Sequence, residues 1–153
     1  MLAVVIVDSF AYKLTFLLHI LAIVVAFAPA FVYPGVSRSL RGHRDGGARA
    51  ALAGLAANDL RIHAPSLVAA GLLGILLVLQ SDDAYSLADA WISAAFLVWF
   101  LMVGVLVGLL VPAERKAAAG EDPAAEKLVR MFGGTIHLLL LVMLYLMIWK
   151  PGA

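Results

Sequence analysis

The chain has 153 residues, 64% of them hydrophobic and 14% charged, with a formal net charge of +1. Its mean hydropathy of +1.02 excludes an ordinary water-soluble domain, which cannot hide so much apolar surface at this size. The absence of cysteine excludes disulfides, iron–sulfur ligation and thiol chemistry. The opening stretch Met1–Val7 is apolar but has no basic residue before it, so a cleaved signal peptide is not expected.

A bilayer-spanning helix needs about 20 mostly apolar residues. Stretches 12–33, 64–80, 87–111 and 129–149 meet that requirement. Continuous apolar runs of this length are not barrel strands, which alternate. Lipid offers the backbone no hydrogen-bond partner, so helices are the remaining choice. The predicted fold class is therefore all-α: a polytopic membrane four-helix bundle forming one domain over residues 1–153.

Charge orients the bundle. Arg38, Arg41, Arg44, Arg49 and Arg61 lie between the first and second stretches, and Arg115, Lys116, Lys127 and Arg130 between the third and fourth. Only Lys13 and Lys150 lie elsewhere, and the turn SDDAYSLAD carries Asp82, Asp83 and Asp89 with no basic residue. The positive-inside rule places both basic segments in the cytoplasm and both termini outside, N-out/C-out. A bacterial cytoplasmic membrane is the expected location. Tyr12, Tyr85, Trp91 and Trp149 fall near the predicted outer boundary, where interfacial aromatics belong.

The first basic segment contains ARAALAGLAANDLRIH, which is helical in pattern. It either lies along the membrane surface or extends the second helix. The second, PAERKAAAGEDPAAEK, reads as a short solvated connection. Basic segments this sparse suit anionic lipid headgroups rather than nucleic acid, so the expected partners are the bilayer and a homo-oligomer or larger membrane complex.

Ionisable residues inside a bilayer are costly, so each is a functional candidate. His19 shares a face of the first helix with Thr15, Ala22, Ala26 and Ala30, a stripe that lets a helix or a flat ligand approach. It is a haem or metal ligand, a proton relay, or a neutral imidazole bonded across the bundle. His137 follows Gly133 and Gly134, which open room beside its ring for a porphyrin edge or a neighbouring helix. By helical rise it lies about 9 Å deeper than His19. Met143 is nearer the level of His19, and a His19–Met143 site would suit haem or copper. His63, with Asn58, Asp59 and Arg61, forms either a binding cluster or a solvated end of the second helix. His43 lies beyond the cytoplasmic boundary. Pro29 bends the first helix and leaves a free carbonyl able to accept a bond. Gly104 and Gly108 form a small-xxx-small pair for packing within the bundle or in a homodimer. No row of charges crosses the membrane, which argues against a pump or channel. There is no nucleophile–base arrangement, P-loop, HExxH or CxxC motif.

YKLTFLLHILAIVVAFAPAFVYP resembles the first helix of the HemJ-type protoporphyrinogen oxidases. It is also similar to related small four-helix bacterial membrane proteins of unknown function and to CopD-like copper-resistance domains. VRMFGGTIHLLLLVMLYLMIWKP resembles the closing helix of the same group. The resemblance implies a four-helix membrane fold, haem b ligated by the first-helix histidine, here His19, and electron transfer from a protoporphyrinogen. Where the third helix of those enzymes carries a His and a Lys, this chain reads LADAWISAAFLVWF. The reading is a non-catalytic accessory or assembly protein of the membrane. Its alternatives are a haem b redox protein using His19, with His137 or Met143 as second ligand, and a copper-handling module using His19 and Met143.

Overall fold

The computed structural model of the chain describes residues 9–39, 46–82, 84–120 and 124–152, which are helical with no strand among them. His43, Arg41, Arg44, Asp83, Pro123 and the stretch Met1–Val7 lie outside the described residues. Four helices are long and apolar enough to cross a membrane. We label them α1 (Phe10–Ser39), α2 (Gly46–Leu79), α3 (Ala90–Ala119) and α4 (Ala125–Trp149).

The helices pair as two hairpins. α1 lies along the Ala64–Leu79 part of α2, and α3 lies along α4. Contact between the hairpins is sparse near the Ser81–Asp89 turn and denser at the opposite end, which carries Arg115 and Arg130 and is called here the basic end. Each spanning segment turns a broad apolar face outward: Leu17, Leu21 and Val24 on α1, Leu97 and Phe100 on α3, Leu138 and Leu141 on α4 are all exposed. So large an apolar belt is stable only against lipid or another protein.

The small-residue stripe of α1 does two jobs. Near the turn end it faces α2, with Thr15 buried and His19 Nδ1 2.8 Å from the Ala70 carbonyl. A carbonyl only accepts, so Nδ1 carries the proton and donates. The ring rests beside Gly74, where an added Cβ would meet His19 Cε1 at 3.5 Å. Further along, Ala26 is buried and Ala30 lines a cavity.

The hairpins interlock at Gly71. The Trp99 indole of α3 lies over it, and Trp99 Nε1 donates to the Leu67 carbonyl at 2.8 Å. Only glycine admits a ring so close to the helix backbone. An added Cβ at Gly104 or Gly108, by contrast, meets nothing within 4 Å. That pair therefore does not pack the bundle.

At the turn end, Lys150 Nζ donates to Tyr85 OH at 2.6 Å and lies 5.6 Å from the Trp91 ring centroid. This clasp ties the end of α4 to the α2–α3 turn. Tyr145 and Trp149 stack beside it with ring centroids 5.4 Å apart.

The two segments left open or read as loops are helical. ARAALAGLAANDLRIH runs on into α2 without a break. Within PAERKAAAGEDPAAEK, Pro112–Ala119 continues α3 to Gly120, whose φ of 70° closes the helix in the left-handed region. Glu, Arg, Lys and Ala are strong helix formers, and a proline ends a helix only where the turn before it cannot adjust. Here it adjusts. These extensions pack on each other through small side chains, with Ala56, Ala113 and Ala118 buried.

Candidate functional site

Three prolines shape one region. Pro29 has no N–H for the Val25 carbonyl four residues back. His63 of α2 supplies the missing donor, with Nδ1 2.8 Å from Val25 O. The free carbonyl expected from Pro29 is thus capped by a side chain from the neighbouring helix. Pro65 and Pro112 act on the helix just before them. In α2, Asp59–His63 forms a π turn in which Ala64 N–H reaches Asp59 O. In α3, Leu106–Leu110 forms a second, with Val111 N–H on Leu106 O. Each π turn starts six residues before its proline. The wider turn moves the carbonyl that the proline ring would strike, so both helices continue. Ser66 Oγ then donates to Ile62 O at 2.7 Å.

Both π turns border the same cavity. It has a volume of about 340 Å³ and takes its walls from all four helices. Ala26 and Phe27 of α1, Leu67 of α2, Leu106 and Leu110 of α3 and Ile136 of α4 form an apolar wall. Tyr33, Asp59, His63, Glu114, Arg130 and His137 supply the polar groups. Gly133 and Gly134 open its α4 side, since a Cβ at either meets nothing within 4 Å.

The two acids are the unexpected members. Asp59 and Glu114 are each 3% exposed. Both line the same cavity, and two carboxylates have no donor to offer each other. Glu114 Oε2 is buried with no hydrogen-bond partner among the described residues. Arg130, which also lines the cavity, is exposed and faces Glu126 at 3.9 Å. His63 Nε2 stands 4.0 Å from Asp59 Oδ1, beyond hydrogen-bonding distance, and Nδ1 is engaged by Val25 O.

The depth of the pair follows from helical rise. Asp59 lies 20 residues before Leu79, and Glu114 23 residues after Trp91; these correspond to about 30 and 35 Å. A hydrocarbon core is about 30 Å thick. A core bounded at the level of Trp91 and Leu79 would therefore reach the level of the acids.

Two histidines, His63 and His137, share the cavity, and His19 stands apart. His137 lines the cavity, donates Nδ1–H to Gly133 O at 2.7 Å, and meets the Phe31 ring edge-on with centroids 5.5 Å apart. His19 lies 12 residues from Phe31 toward the turn end, about 18 Å along α1, and is not part of the cavity. Met143 lies one and a half turns beyond His137, about 9 Å in the same direction, and packs against the core as part of the α3–α4 hairpin. The structure does not bring His19 to the level of either. Among the described residues no three His, Asp or Glu groups are placed to hold a metal ion.

Sequence reasoning put Asp59 in a polar cluster at the mouth of the second helix but favoured a solvated helix end over a binding cluster there. It left Glu114 in a solvated loop. The signal for Glu114 was the run of helix formers after Pro112, which carries α3 a further two turns past that proline. Comparison with protein-family models, with curated proteins and with solved structures finds no match for this chain.

Proposed function

We propose that this chain is a multi-pass membrane protein, N-out/C-out in a bacterial cytoplasmic membrane, that binds a small amphipathic molecule without transforming it. The observation that carries this reading is the cavity itself. It joins an apolar wall to a polar rim with two buried acids, and in this orientation the wall would lie in the hydrocarbon layer and the rim at the cytoplasmic boundary. Ligand sites share that composition: mostly apolar, with a few convergent polar groups. The orientation rests on Arg115, Lys116, Lys127 and Arg130 grouped at the cavity end and on the aromatic clasp at the other. A buried acid pair with an unmet oxygen is costly in a merely structural position.

The test is equilibrium binding of naphthyl amphiphiles to the protein in lipid nanodiscs, comparing wild type with Gly133→Phe. Residue 133 lines the cavity and a Cβ there meets nothing within 4 Å, so a phenyl ring is expected to occupy that space, with circular dichroism of the variant as the check that its helices are kept. Saturable binding at one molecule per chain, lost in Gly133→Phe, is expected. Equal uptake by both proteins would refute the reading.

One observation favours a second reading, haem b at His19. Its Nδ1–H donates to a backbone carbonyl, the arrangement that orients metal-ligating imidazoles and leaves Nε2 free for iron. His19 would hold the iron from one side, and bound haem would supply one-electron chemistry. A Soret band in the purified protein that disappears in His19→Ala supports this reading, and a colourless protein expressed with added haem removes it.

A further inference from the structure

We propose that the occupant of the cavity is an amphipathic organic cation, an amine or guanidine on an apolar body, received by Asp59 and Glu114; this rests on the binding reading above. The cavity's fully buried polar groups are carboxyl acceptors, while its side-chain donors among the described residues, the Tyr33 hydroxyl and Arg130, belong to half-buried or exposed residues. Asp59 and Glu114 are both 3% exposed, and Glu114 Oε2 is buried without a hydrogen-bond partner among the described residues while its residue lines the cavity. His63 is committed through Nδ1 to Val25 O and turns its second nitrogen toward Asp59. An ammonium group carries three donors and no acceptor, which complements this set. The one cationic side chain on the rim among the described residues, Arg130, is exposed and faces Glu126, so it does not neutralise the pair. A bare metal ion fits poorly, because no three ligating groups converge among the described residues. An anionic headgroup would meet two acids.

Specific uptake is measured on the whole protein in nanodiscs as the difference between wild type and Gly133→Phe, for three probes of one shape: naphthylmethylamine, naphthylmethanol and naphthoate. The inference expects the amine to bind at least about tenfold more tightly than the alcohol, as an unpaired buried charge or donor set costs 1.4 kcal/mol or more. It also expects Glu114→Gln and Asp59→Asn to remove that preference while the alcohol still binds. Equal specific binding of all three probes, or preference for naphthoate, overturns the cation inference and leaves the cavity reading standing. Specific binding of none overturns both. The comparison of probes on wild type needs no variant of the acid pair to fold.

Discussion

Replacing Gly71 with alanine tests the lock between the two hairpins. The added Cβ would lie 2.6 Å from Trp99 Nε1 and nearer still to Cε2 and Cζ2. Ordinary contact is 3.5–4.0 Å, so the indole must move by about 1 Å or more. Overpacking of this kind costs about 1–3 kcal/mol. The displaced indole also loses its bond to Leu67 O, now 2.8 Å, worth about 0.6 kcal/mol on average between membrane helices. Alanine returns up to about 1 kcal/mol through helix propensity. The net expectation is destabilisation of about 1–3 kcal/mol. Unfolding in mixed micelles with increasing dodecyl sulfate, followed by circular dichroism, measures it. Gly104→Ala and Gly108→Ala are the controls: their Cβ atoms meet nothing within 4 Å, so both variants should match wild type or gain stability. If Gly71→Ala proves as stable as Gly104→Ala, Trp99 does not lock the hairpins as described.

Two further outcomes follow from individual contacts. Pro29→Ala restores a main-chain donor for Val25 O, so His63→Ala should cost less in that background than in wild type; a double-mutant cycle is expected to show coupling of about 0.5–1 kcal/mol, and strict additivity would contradict the capping role of His63. Lys150→Met removes the bond to Tyr85 and the cation beside the Trp91 ring, and should lower stability by about 0.5–1.5 kcal/mol while quenching of Trp91 by an aqueous quencher increases.

The bundle was legible because lipid imposes a length and a hydropathy that four runs satisfy plainly. The small-residue face of α1 was legible for the same reason that it works: Thr15, Ala26 and Ala30 recur at helical spacing, and His19 finds a backbone partner along it. The free carbonyl of Val25 could be expected from Pro29 alone, since that follows from covalent structure. Its partner could not, because His63 is 38 residues away and the pairing depends on how the helices meet. The acid site was hidden by two local cues that tertiary structure overrides. Asp59 and Glu114 stand near basic residues and a proline, a composition that reads as solvated connection. The π turns carry both helices past Pro65 and Pro112 and bring the two side chains together in the bundle. Nothing in the order of residues marks a π turn, because it is the helix's adjustment to a proline that packing retains. Gly104 and Gly108 show the converse: the spacing suggested packing within the bundle or in a homodimer, and the structure leaves that face open within the chain.

The central claim is a polar-mouthed cavity between the hairpins that opens at the cytoplasmic end of a membrane bundle. The chain has no cysteine, so single introduced thiols report on it without background. Gly133→Cys places a thiol on the cavity, and Leu141→Cys places one on a face that is 63% exposed in the belt assigned to lipid. Only a thiol reached by water ionises and reacts. A membrane-impermeant maleimide applied to inside-out vesicles is expected to label Gly133→Cys, to label it poorly from the opposite side, and to leave Leu141→Cys unlabelled from both. Labelling of Gly133→Cys from the outer side alone, from neither side, or no faster than Leu141→Cys would contradict the cavity and its orientation.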